Sequence, residues 1–298
     1  MKKEVSRKDV YKKLLLLLPL IAIFAVLSYF YNVSGFLQGG IIDERDLQWW
    51  EYTENGIIKG TESIYIQGAK NCWLLVHGYG STPTEFSYIS KAINEETNAT
   101  VSVPLIKGHG TKASELQKTE WKDWYDDVKK EYEKLEKNCT TINAGGSSMG
   151  ATILIKLSQE KNIETLALLA PYTEAKRKID QWLVNNAAGV LHYVKKKRTG
   201  SINDPEGQKQ HKTYWNFPMV PLQKSREEIE NAGALTPRAR KLVVIISNND
   251  TVINNEPAKK FYENFMGTKV FVALNNSDHV MSLDYEKGKV AEILSENT

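Results

Sequence analysis

The sequence of this 298-residue chain predicts an α/β fold in which helices cover both faces of a mostly parallel sheet. Short, almost continuously apolar runs alternate with longer amphipathic segments, as expected for strands buried on both faces. Hydrophobic residues make up 41% of the chain and charged residues 25%, a composition that is typical of a globular protein with a substantial core. One further apolar run, near the N-terminus, lies outside this alternation.

The alternation places seven strands and five helices along the chain. The predicted strands are residues 63–67, 72–76, 100–106, 141–144, 165–170, 241–247 and 269–274. The predicted helices are residues 83–96, 121–137, 151–159, 256–265 and 285–295. Because strands regularly alternate with helices, the connections are those of βαβ units and the sheet is expected to be parallel.

The segment 172–240 interrupts this alternation of strands and helices, since it is rich in Lys, Asn and Gln and lacks a clear strand–helix pair. A structureless loop of that length is improbable within a compact domain. We therefore expect a small, mostly helical cap inserted into one domain of residues 57–298.

The N-terminal run predicts a membrane segment. Residues 1–13 form a basic tail with net charge +4, residues 14–31 are an uncharged apolar run, and residues 32–56 are a polar linker. This order predicts a single transmembrane signal-anchor with a cytoplasmic N-terminus and an extracytoplasmic domain. The alternative is a signal peptide that is cleaved near residues 33–35, which would release a secreted domain.

Several function classes are disfavoured by composition and motif content. The chain carries a net charge of +3, so the residues after the basic tail sum to −1 and offer no basic face for nucleic acid. The histidine and cysteine spacing matches no metal site, and no glycine-rich phosphate loop is present. We therefore expect no cofactor, no metal and no nucleic-acid partner.

The strongest chemical motif is GSSMG at residues 146–150, between a predicted strand and a predicted helix. In a nucleophile elbow a serine lies on a tight strand-to-helix turn, and glycines two residues to either side avoid clashes in that turn. This register selects Ser148 as the nucleophile, because centring the motif on Ser147 would put Met149 at a glycine position.

An elbow serine needs a base and an acid, which follow it in the order acid, then histidine. Of the five histidines, His279 follows a strand and precedes the last helix, whereas His192 and His211 lie in the cap and are expected at the surface. Asp250, in the loop after the preceding strand, is the predicted acid. Asp278 is the competitor, but its side chain should point away from the ring of its neighbour.

The oxyanion donors are expected to be two backbone N–H groups. One belongs to Met149, directly after the nucleophile. The other belongs to Tyr79 in the HGYG loop at residues 77–80, where His77 should support the loop.

Together these segments resemble the α/β-hydrolase superfamily. The motifs that carry this resemblance are VHGYG at 76–80, GSSMG at 146–150, ND at 249–250 and SDHV at 277–280. Two further segments are similar to the bacterial carboxylesterase and monoacylglycerol lipase branch of the superfamily: PLIKGHG at 104–110, which is followed by two tryptophans, and HVMSLD at 279–284. The resemblance covers about residues 60–298. It implies an eight-stranded, mainly parallel sheet, a small cap and hydrolysis of carboxylic esters through an acyl-enzyme, with Ser148, Asp250 and His279 as the catalytic residues.

The resemblance also bears on substrate, partners and the two cysteines. It implies short- or medium-chain acyl esters or monoacylglycerols as substrates, while an acyltransferase or a non-catalytic binding protein on the same fold remain alternatives. The oligomeric state is left open. In the implied sheet the strands beginning near Cys72 and Cys139 are parallel neighbours, so the two cysteines should be nearly level and close enough to form a disulfide; two buried thiols are the alternative.

Overall fold

A seven-stranded sheet occupies the centre of the computed structural model, which describes residues 7–33, 50–189, 192–195 and 200–298. The sheet strands are β1 (Ile64–Ile66), β2 (Ala69–Val76), β3 (Ala99–Val103), β4 (Thr141–Ser147), β5 (Thr165–Leu169), β8 (Lys241–Ser247) and β9 (Thr268–Leu274). Their order is β1-β3-β2-β4-β5-β8-β9. Only the edge strand β1 is antiparallel to its neighbour, which confirms the mostly parallel sheet.

All seven strands predicted from the alternation are present, but the eighth strand implied by the resemblance is not found among the described residues. Ahead of β1 the chain forms only an isolated antiparallel bridge between Tyr52 and Ile58. Gly56 and Gly60 there have φ angles of +74° and +79°, and the chain turns at both positions.

The helices cover the sheet on both faces. They are α2 (Ser87–Thr97), α3 (Ala113–Leu116), α4 (Trp121–Glu136), α5 (Met149–Leu157), α10 (Glu256–Asn264) and α11 (Lys287–Glu296). Side chains alternate between two hydrophobic cores, so that Leu74 and Val76 of β2 pack on one face while Trp73 and Leu75 pack on the other. Burial of both faces is why β2 appears in the sequence as a continuous apolar run.

The insertion between β5 and β8 has more strand than expected. It contains α6 (Lys178–Ala187), α7 (Pro205–Gln210), α8 (Val220–Lys224) and α9 (Arg226–Ala234), and the short antiparallel strands β6 (Tyr193–Lys195) and β7 (Asn216–Pro218). The hydroxyl of Tyr79 donates to Pro218 O at 2.8 Å, so the insertion lies over the loop that follows β2. Its boundaries as a cap stay a prediction.

The N-terminal segment forms helix α1 (Arg7–Val33). Among the residues whose side chains are described, no helix is long and apolar enough to cross a membrane, so the expected transmembrane segment is not supported. The signal-cleavage site at residues 33–35 and the linker at 32–56 lie mostly outside the described residues, which exclude 34–49.

Cys72 and Cys139 are joined in a disulfide with a Cα–Cα distance of 6.0 Å. The expected level register is wrong, because Cys72 of β2 lies opposite Ile142 of β4, three residues beyond Cys139. Cys139 instead lies in the turn after α4, where its N–H donates to Leu135 O. The turn brings its side chain back against β2, so a loop residue and a strand residue meet.

Candidate active site

Ser148 occupies a strained turn between β4 and α5. Its φ of 53° and ψ of −117° are unfavourable for a residue with a side chain, and the surrounding packing holds them in place. A Cβ on Gly146 would lie 2.5 Å from Ala151 N, and one on Gly150 would lie 2.2 Å from Val76 O. Both flanking glycines are therefore required sterically, and this requirement explains the two glycine positions of the GSSMG motif.

The three residues predicted as a triad are brought together from separate loops. His279 Nε2 lies 3.0 Å from Ser148 Oγ, and His279 Nδ1 lies 2.8 Å from Asp250 Oδ2. Because an ionised carboxylate only accepts hydrogen bonds, Nδ1 carries the proton and Nε2 is left to accept from the serine hydroxyl. This is the tautomer needed for a base that acts on Ser148.

The Asp250 carboxylate is fully buried and strongly hydrogen-bonded. Its Oδ1 accepts from the N–H groups of Val252 at 2.7 Å and Ile253 at 2.9 Å. Burial by itself would raise the pKa of Asp250, but the charge and hydrogen bond of His279, together with these two N–H groups, hold the pKa below its ordinary value. The carboxylate therefore stays ionised at neutral pH and orients the imidazole.

Asp278, the competing acid, points elsewhere. Its Oδ1 accepts from the Thr251 N–H at 2.8 Å and from its neighbour's own backbone N–H, that of His279, at 2.7 Å. The hydroxyl of Thr251 donates to the same carboxylate at about 3 Å. Asp278 thus ties the acid loop to the histidine loop without touching the imidazole.

The loop after β2 lies directly against Ser148. A Cβ on Gly78 would be 3.3 Å from Ser148 Cβ, a tight contact that the glycine avoids. The Gly78 N–H already donates to Glu85 Oε2 at 2.9 Å. The next N–H, that of Tyr79, has no backbone acceptor within the described residues.

Three of the other histidines, His77, His109 and His211, are buried. His77 lies beside the loop as expected: its Nε2 accepts from Ile106 N–H at 3.3 Å, and its Nδ1 is 3.0 Å from Gly78 O. Burial lowers the pKa of His77 and of His109, which keeps both rings neutral. The surface location expected for His211 is wrong, because it is buried against Ser81 with 3.2 Å between Nε2 and Oγ.

Two buried carboxylates near the site were not anticipated from the sequence. Glu85 contacts the loop after β2, and Asp284 accepts four backbone N–H groups, including that of Asp278 at 2.7 Å. Glu85 falls within the predicted helix 83–96 and Asp284 directly precedes the predicted helix 285–295, so nothing in the local sequence indicated that either carboxylate would be buried. Within the described part of the chain, no cluster of His, Cys, Asp and Glu side chains could hold a metal ion.

Comparisons with known proteins agree with this geometry. The profile of the family described as serine aminopeptidase, S33, matches residues 67–284. The chain is 26% identical over 241 residues to a thermostable monoacylglycerol lipase of Bacillus sp. strain H-257, covering 79% of this chain and 93% of that protein. It is 25% identical over 228 residues to a carboxylesterase of Bacillus subtilis strain 168, covering 75% and 90%.

Solved structures show the same fold. A metagenome-derived lipolytic enzyme superposes with a TM-score of 0.73 at 21% identity, covering 81% of this chain and 98% of its own. The monoacylglycerol lipase of Paleococcus ferrophilus superposes with a TM-score of 0.66 at 14% identity, covering 79% and 98%.

Proposed function

This chain belongs to the serine aminopeptidase S33 family and is a serine hydrolase of the lipase and esterase type, and on that premise we propose that it cleaves carboxylic esters through an acyl-enzyme on Ser148. The observation that carries the proposal is the continuous hydrogen-bonded chain from Ser148 through His279 to Asp250, with contacts of 3.0 and 2.8 Å. Such a chain activates a hydroxyl that is otherwise a weak nucleophile.

Acylation follows from the positions of these groups. As Ser148 Oγ attacks the ester carbonyl carbon, its proton passes to His279 Nε2, and Asp250 stabilises the imidazolium that forms. The carbonyl oxygen becomes an oxyanion that accepts from the N–H groups of Tyr79 and Met149. When the tetrahedral intermediate collapses, the C–O bond breaks and His279 gives its proton to the departing alcohol.

Deacylation uses the same groups in reverse. A water molecule gives a proton to His279 Nε2 and attacks the acyl carbon. Collapse of the second tetrahedral intermediate breaks the bond to Ser148 Oγ, and the serine recovers the proton from His279. The products are a carboxylic acid and the free enzyme.

The assignment of Ser148 is tested by comparing it with the adjacent serine. Ser148→Ala should reduce hydrolysis of p-nitrophenyl butyrate by at least about 10⁴-fold and abolish labelling by a fluorophosphonate, because among the described residues Ser148 Oγ is the hydroxyl in contact with His279 Nε2. Ser147→Ala, in the rejected register of the motif, is the matched control and should keep both activities. Retained turnover in Ser148→Ala would refute the mechanism.

For the substrate we propose short- or medium-chain acyl esters or monoacylglycerols. Support comes from the two relatives named as a monoacylglycerol lipase and a carboxylesterase. Turnover of monoacylglycerols from four to eighteen acyl carbons, compared with the matching diacylglycerols, tests this proposal. Equal turnover of long-chain diacylglycerols would contradict it, and product analysis with added glycerol separates hydrolysis from acyl transfer.

We further propose that α1 attaches the enzyme to a membrane and that the hydrolase domain lies outside the cytoplasm. The apolar side chains of α1 are exposed, among them Leu16 at 72%, Ile21 at 60% and Phe24 at 63%, which favours an apolar surrounding. The disulfide supports an oxidising compartment.

Two measurements test this location. The full chain should sediment with membranes, and a variant carrying Leu16→Arg, Ile21→Arg and Phe24→Arg should not. A fluorophosphonate that cannot cross membranes should label the wild-type protein in intact cells, with Ser148→Ala as the unlabelled control. Labelling only after cell lysis would contradict an extracytoplasmic domain.

A further inference from the structure

A buried carboxylate outside the proposed triad joins two loops of the site. Glu85 lies in the 3-10 turn Pro83–Phe86 and is 1% exposed. Its Oε2 accepts from the Gly78 N–H at 2.9 Å, and its Oε1 accepts from the Ser282 hydroxyl at 3.3 Å. Ser282 lies three residues after His279, so one side chain contacts both the loop of the expected oxyanion donor and the loop of the expected base.

The peptide unit between Gly78 and Tyr79 is held from its carbonyl side. Gly78 O is 3.0 Å from His77 Nδ1 and accepts from the Ser81 N–H at 3.1 Å. Since N–H and C=O point in opposite directions across a trans peptide, these contacts set the direction of the Tyr79 N–H. Glu85 accepts from the N–H of the same glycine and so restricts a loop residue that has no side chain of its own to restrict it.

The surroundings of Glu85 do not suggest a role in fold stability. Within the described residues it forms no salt bridge with a Lys or Arg side chain, and burying a carboxylate that has only hydrogen bonds is costly. The two groups that it binds both belong to loops of the site. The contacts of Glu85 are therefore best explained by a role in positioning these two loops.

We propose that Glu85 is a positioning residue that aims the Tyr79 N–H at the developing oxyanion and keeps this loop in register with the histidine loop. This inference rests on the proposed function, because it assumes that Ser148 attacks a carbonyl group. Glu85 acts through Gly78 and does not touch the substrate. An interaction of this kind is needed more in the transition state than in the ground state, so its loss lowers kcat rather than raising KM.

The test compares substitutions of Glu85 in the full chain. Glu85→Ala removes the acceptor for the Gly78 N–H and should lower kcat about 10- to 100-fold, with KM within about threefold of wild type. Glu85→Gln keeps an acceptor oxygen of the same reach and should restore kcat to within about threefold of wild type. Should Glu85→Ala fail to fold, Glu85→Asp, which withdraws the carboxylate by one carbon, should show the same loss in kcat.

A matched control is available in Glu131. Its carboxylate also accepts from a serine hydroxyl, Ser102 Oγ at 2.6 Å, but it lies on α4 away from the site. Glu131→Ala should leave kcat unchanged. An unaltered kcat in Glu85→Ala, or a Glu85→Gln variant as slow as Glu85→Ala, would overturn the proposal.

Labelling kinetics separate this inference from the proposed function. The rate of covalent labelling of Ser148 by a fluorophosphonate depends on the oxyanion donors but not on which ester is the substrate. A slower labelling rate in Glu85→Ala, restored in Glu85→Gln, supports the role of Glu85, and equal rates in all three proteins contradict it. A wild-type enzyme that is labelled but hydrolyses no ester would instead contradict the proposed function.

Discussion

Removal of the disulfide between Cys72 and Cys139 should strongly destabilise the protein. The bridge closes a segment with a sequence separation of 67 residues, which includes β3, α4 and the loop between them. A cross-link that closes a loop of this length lowers the conformational entropy of the unfolded chain, which raises the free energy of the unfolded state by about 4 kcal/mol. At about 2–4 °C per kcal/mol for a domain of this size, the Cys72→Ala/Cys139→Ala variant should melt roughly 8–16 °C below wild type.

Thermal unfolding followed by circular dichroism of the full chain measures this difference. Wild-type protein in reducing agent should melt near the double variant, and reducing agent should leave the double variant unchanged. Thr140→Ala, which alters an exposed neighbour of the bridge, is the matched control and should melt within about 2 °C of wild type. A double variant that melts with wild type would show that the bridge does not restrict the unfolded chain.

Three further results are expected. Asp250→Asn should lower kcat about 10⁴-fold, since an amide that donates to His279 Nδ1 leaves the imidazole in the wrong tautomer; a loss below tenfold would contradict the role of the acid. Gly150→Ala should cost about 2–3 kcal/mol because its Cβ would meet Val76 O at 2.2 Å, whereas Gly189→Ala, with open space around it, should be near neutral in the same urea titration. The pKa of Asp250 is lowered in the folded state, so the ionised carboxylate stabilises the fold above pH 3.8, and this stabilisation is lost as the pH falls through the lowered pKa. The difference in the free energy of unfolding between wild type and Asp250→Asn should therefore become smaller in that acid range.

The strands could be predicted because a strand that is buried on both faces has a continuous apolar run in its sequence. Strands β5 and β8 each bury nearly every side chain, and their sequences contain the continuous apolar runs LALL and LVVII. The elbow was equally visible, since its two glycines are required by contacts within a few residues of Ser148 and with the adjacent strand β2. Both signals are carried by short stretches of sequence, although the contact that requires Gly150 is made with β2.

The sequence by itself therefore determined the layered α/β architecture and the chain order of Ser148, Asp250 and His279, because periodicity, turn chemistry and the position of polar residues at strand ends are local properties. Only the tertiary structure decided the contacts of Glu85, the burial of His211 and the three-residue offset of Cys139 from the position opposite Cys72. These outcomes depend on which loops pack against one another. A polar residue in a loop has the same local sequence whether solvent or a second loop covers it, and only long-range packing distinguishes the two.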